Sequence, residues 1–224
     1  MEKTRTIRTW GSFLLLLLLL FVFLIWNVLA GSVKLPVSEI LEILRGRGDG
    51  TQSRILLQIR LPRLLSALIL GGALSVSGYL LQTFFHNPIA GPFVLGISSG
   101  AKLCVSIVMI LLLSRGLVSS SAVLITAAFV GAMGSMGFVL AVSQKVKRMS
   151  LLVICGVMIG YICTAATDLL VTFADDSNIV NLHNWSMGSF SGMSWENVGT
   201  MAIVCGAALV LVFFLSKPIR AYQL

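Results

Sequence analysis

Six long apolar segments constrain the fold of this chain more than any other feature. They lie at about 12–30, 64–82, 94–113, 118–142, 150–173 and 198–216. A spanning helix needs roughly 20 apolar residues, and a chain with 57% hydrophobic and 11% charged residues cannot cover a water-soluble core with polar side chains. The third segment is the weakest because Pro92, Gly96 and Gly100 interrupt it. The sequence predicts an all-α, polytopic transmembrane helical bundle with about six spans.

Membrane topology explains the net charge of +8. The basic residues form no stripe with interleaved aromatics, which excludes a nucleic-acid surface. They stand before the first span, after the fourth and after the sixth, and these ends are expected to be cytoplasmic: Lys3, Arg5 and Arg8; Lys145, Lys147 and Arg148; Lys217 and Arg220. Residues 31–63 then lie outside although they hold six basic side chains, so charge alone leaves the opposite orientation open.

The first span also has features of a secretory signal peptide, since a basic start and an apolar run precede Val28-Leu29-Ala30. The run from Phe13 to Leu29 is longer than a usual signal, and five further spans follow, so a retained span is favoured. The four cysteines lie within apolar spans and lack CxxC spacing. This pattern supports neither a disulfide framework nor a zinc site.

Two connecting segments are predicted to have structure of their own. Residues 35–45 combine a proline near a helix start with Ile40, Ile43 and Leu44 on one face, which predicts an amphipathic helix on the membrane surface. Residues 174–197 are polar and contain two Trp residues suited to a membrane–water boundary, so we expect an extracytoplasmic loop with a short interfacial helix. The second span is expected to start at Pro62, where the missing N–H needs no partner.

Small residues recur four positions apart in three spans. Such residues allow two helix backbones to approach closely, which is the main packing device inside a bilayer. The same residues can instead line a solute pathway, and both interpretations stay open from the pattern alone. The positions are Gly71 and Ser75, Gly131 and Ser135, and Gly156, Gly160 and Thr164.

The sequence contains no recognisable catalytic set. Gly91 to Gly96 has the glycine spacing of a phosphate-binding loop, but Ile97 occupies the position of the required lysine. His86 and His183 have no second ligand at a recognisable spacing, and no Ser/His/Asp, paired-carboxylate or HExxH pattern occurs. We therefore expect no enzyme, no cofactor and no metal site in this chain.

Three charged residues near the outer ends of spans allow two interpretations each. Asp168, the only acid well inside a predicted span, either carries protons in a secondary transporter or lies close enough to water and Thr167 to be satisfied. Arg60 and Arg63 flank Pro62 and share a helix face. They either extend to lipid headgroups or present guanidinium groups to carboxylates of an incoming protein.

A series of motifs between residues 59 and 101 resembles the FecCD/BtuC-type permease family. The motifs are Ile59-Arg60-Leu61-Pro62-Arg63, Gly72-Ala73-Leu74-Ser75-Val76-Ser77-Gly78, Asn87-Pro88-Ile89-Ala90-Gly91-Pro92 and Leu95-Gly96-Ile97-Ser98-Ser99-Gly100-Ala101. Trp185-Ser186-Met187-Gly188-Ser189 with Ser194-Trp195 resembles the family's loop before its sixth helix. The resemblance therefore extends through essentially the whole chain.

The resemblance implies a transmembrane permease subunit of a type II ABC importer, located in the cytoplasmic membrane of a bacterium. The cargo would be an iron chelate such as a siderophore or haem, or cobalamin. Two permeases, identical or paralogous, would form the pathway between them. Two ATPase subunits would dock from the cytoplasm, and an extracytoplasmic substrate-binding protein would deliver the cargo.

The resemblance also implies roles for individual residues. Arg60 and Arg63 match arginines that receive glutamates of the binding protein. Asn87 and Ile89 resemble the cytoplasmic gate between the second and third spans, which Met149 and Ser150 would complete at the start of the fifth. Small residues are expected to line the pathway: Gly71, Ser75, Gly156, Gly160 and Thr164.

The end of the chain departs from the family pattern. Family members have ten helices, and residues 217–224 fall where the family continues into cytoplasmic coupling helices that contact the ATPase. The expectation is either a fragment of a longer reading frame or a truncated chain. A truncated chain would be a non-transporting remnant, and a proton-coupled transporter that uses Asp168 is the other alternative to an importer subunit.

Overall fold

The computed structural model describes residues 2–48, 50–91, 93, 95–113, 121–146 and 149–215, and these residues contain helices and turns but no strand. Pro92, Lys147, Arg148, Lys217 and Arg220, which entered the predictions above, lie outside the described residues. The described helices are α1 (Glu2–Leu29), α2 (Val37–Leu44), α3 (Thr51–Arg54), a π-helical segment (Ile55–Arg60), α4 (Leu61–Phe85), α5 (Ile97–Leu113), α6 (Ser121–Ser143), α7 (Met149–Thr172), α8 (Asp176–Met187) and α9 (Trp195–Phe214).

Five helical stretches in the described residues are long and apolar enough to cross a membrane. They are Thr6–Leu29, Thr51–Phe85, Ala122–Ser143, Ser150–Thr172 and Trp195–Phe214. The prediction of an all-α polytopic bundle is confirmed, and six is an approximate count of its spans. Helix α5 has 17 residues, which is the lower limit of roughly 17–25 for a spanning helix.

Helix α5 begins three residues later than the apolar run suggested. Gly96 adopts φ +70° immediately before it, in the left-handed region that L side chains rarely occupy. The chain therefore turns at Gly96, and regular helix starts only at Ile97.

The second span does not start at Pro62, as the sequence analysis had it. Helix is continuous from Thr51 to Phe85, with a π-helical segment directly before α4. Proline inside an α-helix removes one hydrogen bond and crowds the carbonyl four residues earlier. The wider π turn is one of the few ways in which a helix accommodates that defect without ending. At about 1.5 Å per residue, the resulting helix exceeds the thickness of a bilayer core.

Contacts divide the described residues into two compact units, which are treated separately: a first unit (2–72 and 190–215) and a second unit (73–189). In the first unit, α2 buries Ile40 and Ile43 against Leu35 and Leu56. Leu44, expected on the same face, is instead 58% exposed. It lines a separate apolar groove with residues of α1.

The second unit is built around α5, which packs against α6, α7 and α8. One buried cluster contains Phe85, Leu95, Val139 and Leu152. The backbones of α5 and α6 also come close together: a Cβ added to Gly131 would lie 2.7 Å from the carbonyl carbon of Gly100. Helices therefore approach here at a distance that only glycine permits.

Candidate functional site

A cavity of about 470 Å³ in the first unit contains both arginines of the Arg-Leu-Pro-Arg motif. We call it the arginine pocket and define it by the residues Asn27, Gly31, Ile59, Arg60, Arg63 and Phe190. None of the described residues that line it is acidic. The pocket therefore concentrates two positive charges without an internal counter-ion, which is suited to binding an anion or a carboxylate.

Arg60 lies at the bottom of the pocket and is only 7% exposed. Its Nη1 donates a hydrogen bond to the carbonyl oxygen of Val28 at 2.5 Å and a longer one to that of Leu29 at 3.4 Å. Its Nη2 donates to the carbonyl oxygen of Val33. The guanidinium group is thus directed at the end of α1 and at the loop that follows it.

Arg63 lies one helical turn further along α4 and is half-buried. Its Nη2 donates to the carbonyl oxygen of Ser191 at 2.8 Å. Its Nε is buried without a hydrogen-bond partner among the described residues. Arg63 is less buried than Arg60 and donates through Nη2 to one carbonyl, whereas the two Nη atoms of Arg60 donate to three carbonyl groups.

The first unit has a further tether that the sequence analysis missed. Trp195 Nε1 donates to the carbonyl oxygen of Leu57 at 2.9 Å and links the start of α9 to the π-helical segment. From the sequence, Trp195 is expected at the membrane boundary and belongs to the motif that resembles the family's loop before its sixth helix. No local pattern identifies Leu57 as its partner, because the two residues are 138 positions apart.

Helix α4 ends in a turn that leads into the predicted gate. His86 adopts φ +49°, and the amide of Asn87 donates to the carbonyl of Gln82 at 3.1 Å while that of His86 donates to Thr83 at 3.2 Å. This is the Schellman arrangement that satisfies the last carbonyls of a helix.

The predicted gate residues occupy exposed ends of elements in the second unit. Asn87 Oδ1 accepts a hydrogen bond from the amide of Ile89 at 2.9 Å, and this Asx turn leaves Ile89 75% exposed. Ser150 is exposed on the first turn of α7. Met149 begins α7, and its side chain lies outside the described part of the structure. Ala90, next to Ile89, and Leu152, two residues after Ser150, belong to the same buried cluster.

The five predicted pathway residues divide into two groups. Gly71 and Ser75 are exposed on α4, and Thr164 is exposed on α7. Gly156 and Gly160 are buried, because they pack against the start of α5: a Cβ on Gly156 would lie 2.9 Å from the Cα of Leu95. On α7, Gly156 and Gly160 thus serve helix packing, whereas Thr164 remains available to a pathway.

Asp168 is exposed on α7, one turn before the helix ends at Thr172. The Thr172 hydroxyl donates to the backbone carbonyl of Asp168 at 2.8 Å.

Among the described residues, no three His, Cys, Asp or Glu side chains cluster as metal ligands. An apolar groove of about 550 Å³ near Cys104 and Val130 has one hydroxyl, on Thr126, and that hydroxyl donates to Ala122.

These elements define the class of protein: a polytopic α-helical membrane protein with an arginine pocket at one end of its second span. Residues 17–224 match the sequence model of the FecCD transport family. The chain therefore belongs to the FecCD transport family.

Individual relatives give the same result. The chain is 34% identical, over 99% of its length, to the vitamin B12 import system permease protein BtuC of Klebsiella pneumoniae, and it covers 63% of that protein. It is 33% identical, over 76% of its length, to the hemin transport system permease protein HmuU of Yersinia pestis, and it covers 50% of that protein. The chain thus spans between half and two thirds of the length of these relatives.

A solved structure supports the fold assignment. It is described as an inward-facing conformation of a metal-chelate type ABC transporter, and it matches 93% of this chain with a TM-score of 0.76 and 27% identity. The match covers 63% of that chain.

Proposed function

We propose that this chain is part of a transmembrane permease subunit of an ATP-driven ABC importer. The observation that carries the proposal is membership of the FecCD transport family over residues 17–224. In this proposal residues 1–224 belong to one permease domain, with 35–45 on the membrane surface and 174–197 on the extracytoplasmic side. Helices α2 and α8 occupy these two segments. ATP would be hydrolysed by separate partner subunits, and this chain would be no enzyme.

The proposed cargo is a bulky metal chelate: an iron siderophore, haem or cobalamin. The names of two relatives support this class, since they import vitamin B12 and hemin. The exposed small residues Gly71, Ser75 and Thr164 offer little side-chain volume and no charge. A pathway of this kind suits a large cargo that must not be held tightly in transit.

The proposed docking point for the substrate-binding protein is the arginine pocket. Acidic side chains of that partner would meet the positive charge of Arg60 and Arg63, and this complementarity would guide and orient its approach. A guanidinium can engage both oxygens of a carboxylate at once. Arg63 is partly exposed and lines the pocket, which supports this assignment.

The proposed cytoplasmic gate is formed by Asn87 and Ile89 with Met149 and Ser150. The Asx turn at Asn87 supports this role because it fixes the backbone that carries the exposed Ile89 side chain. A second permease subunit would supply the opposite half of the gate. ATP binding to the partner subunits would then shift the pair between outward-open and inward-open packings.

The test is reversal of charge in the arginine pocket of the full-length importer. Arg60→Glu combined with Arg63→Glu should abolish delivery by the binding protein, and Arg63→Glu alone, which leaves the hydrogen bonds of Arg60 in place, should weaken delivery in a permease whose α1 end is intact. Loss of even one buried partner of a charge pair weakens binding by roughly 30-fold or more. Uptake of the chelate into cells and direct binding of the loaded binding protein would both be measured.

Arg54→Glu is the matched control, since Arg54 is exposed on α3 and does not line the pocket. This variant carries a charge reversal in the same extracytoplasmic region and should retain delivery. Unchanged uptake in the double variant would refute the docking role. Equal loss in the control would show that general surface charge, rather than the pocket, attracts the binding protein.

A further inference from the structure

The carboxyl end of α1 needs hydrogen-bond donors that its own sequence does not supply. The last carbonyl groups of any helix lack intrahelical partners and carry the negative end of the helix dipole. Lys, Arg or His in the last turn commonly satisfies them. The last turn of α1 has no basic residue.

Arg60 supplies these donors from another element of the first unit. Its guanidinium group bonds the carbonyls of Val28 and Leu29 in the last turn of α1 and that of Val33 in the following loop. The side chain is more than nine-tenths buried. Arg60 thus places a positive charge on the negative end of α1 and joins that end to the loop.

Gly31 provides the space that this arrangement needs. A Cβ at Gly31 would lie 2.5 Å from Nη2 and 2.9 Å from Cζ of Arg60. Such distances are too short for carbon and nitrogen atoms, so the guanidinium group would have to move away. Arg60 and Gly31 are therefore complementary, although they are far apart in sequence.

The π-helical segment fixes which arginine performs this role. Arg60 is the last residue of that segment, and Arg63 lies in the first turn of α4. The wider π turn changes the direction in which side chains leave the helix. In the folded first unit, Arg60 meets α1, whereas Arg63 meets the loop at Ser191.

We propose that Arg60 is the carboxyl-terminal cap of α1 and that this cap positions the arginine pocket before the binding protein docks. By holding α1 and residues 30–33 in place, Arg60 fixes the wall opposite Arg63. The capping role stands on the contacts within the first unit. Its effect on docking rests on the docking role proposed above.

Hydrogen exchange in the full-length permease, assembled with its ATPase subunits and without binding protein, tests the cap. Arg60→Met, which keeps side-chain length but removes every donor, should raise amide exchange of residues 26–30, the last turn of α1 together with the Ala30 amide that bonds the Trp26 carbonyl, by about tenfold or more. Gly31→Ala should raise it in the same segment although both arginines are present. Arg60→Lys should restore part of the protection, and Arg63→Met should leave this segment unchanged.

Gly72→Ala is the matched control for Gly31→Ala, because a Cβ at Gly72 meets no atom within 4 Å. The double variant with Arg60→Met and Gly31→Ala should exchange no faster than Arg60→Met alone, since both changes remove the same contact. An additive effect, or unchanged exchange in Arg60→Met, would overturn the capping role.

Affinity for the binding protein tests the positioning role. Gly31→Ala displaces the Arg60 guanidinium without removing it and should weaken binding, whereas Gly72→Ala should leave binding unchanged. Arg63→Met, which removes a docking residue, should also weaken binding. Equal affinity of Gly31→Ala and Gly72→Ala, with weaker binding in Arg63→Met, would overturn the positioning role. If no variant changed affinity, the docking proposal would fail, while the exchange data would still decide the cap.

Discussion

The contacts inside the first unit differ in kind from the contacts inside the second unit. In the first unit, long side chains reach backbone carbonyls across elements: Arg60 to α1, Arg63 to Ser191 and Trp195 to Leu57. In the second unit, elements touch through glycines: Gly96, just before α5, meets Gly156 of α7, and Gly100 of α5 meets Gly131 of α6. The first kind of contact depends on directed polar groups, and the second depends on the absence of side chains.

This difference relates to what each unit can do. A hydrogen bond from a flexible arginine tolerates small shifts and can be exchanged for a bond to a partner. A glycine contact tolerates no added atom and keeps two helices in a fixed register. The first unit is therefore suited to the proposed recognition of a partner, and the second unit is suited to a rigid frame for the proposed gate.

Gly96→Ala should be the most damaging single change. The new Cβ would lie 2.7 Å from the carbonyl oxygen of Gly156 and 2.8 Å from the amide nitrogen of Gly160, at a residue with φ +70°. Strain and overpacking together should lower the free energy of unfolding by about 2–4 kcal/mol. Thermal unfolding of the detergent-purified permease measures the effect.

Gly91→Ala is the control for that change, because a Cβ at Gly91 meets nothing within 4 Å. It should leave the unfolding temperature almost unchanged. Equal behaviour of the two variants would mean that the contact between α5 and α7 is looser than described.

Gly131→Ala should cost slightly less, about 1–3 kcal/mol, because it adds overpacking without backbone strain. Its Cβ would overlap Gly100 on α5 and lie 3.0 Å from the Cα of Ala101. Gly134→Ala, one turn along the same helix and open to space, should be neutral or slightly stabilising. Gly131→Ala should have a lower unfolding temperature than Gly134→Ala. Equal unfolding temperatures would show that glycine contacts do not hold the second unit together.

Trp195→Phe should have a smaller effect in the first unit. It removes the hydrogen bond to the carbonyl of Leu57 and leaves most of the ring volume, so a loss of about 1 kcal/mol is expected. Trp26→Phe, at an exposed position of α1, serves as the control. A loss in Trp195→Phe as large as that in Gly96→Ala would show that polar tethers matter more than the comparison implies.

Asp168→Asn should have no effect on uptake. The residue is exposed on α7 near the helix end, and an importer driven by ATP needs no proton carrier there. Uptake would be measured with and without an uncoupler. Loss of uptake in Asp168→Asn, together with sensitivity of the parent protein to the uncoupler, would favour a secondary transporter.

Hydropathy alone predicted the helical membrane fold, because the length and apolarity of a spanning segment are set by the bilayer. The boundaries were less accurate at two points. Pro62 suggested a helix start, but a π turn carries the helix through it. Gly96 was identified as an interruption, and its positive φ delays α5 by three residues.

The candidate site was only partly predictable. The motif located both arginines, but not their directions, since these depend on the π turn and on the position of α1. The spacing of Gly156 and Gly160 favours helix packing but also allows pathway lining, and only the contact with Leu95 and Gly96 separates these interpretations. Gly31 carried no signal, because its partner Arg60 is distant in sequence.

The most direct test of the account is ATP-driven uptake by proteoliposomes that contain the full-length permease and its ATPase subunits. The chelate and its binding protein would be added outside, and an uncoupler would remove the proton gradient. We predict uptake that requires internal ATP and the binding protein and that is lost in Arg63→Glu. Uptake that ignores ATP, or that persists in Arg63→Glu at the rate of the parent protein, would contradict the account.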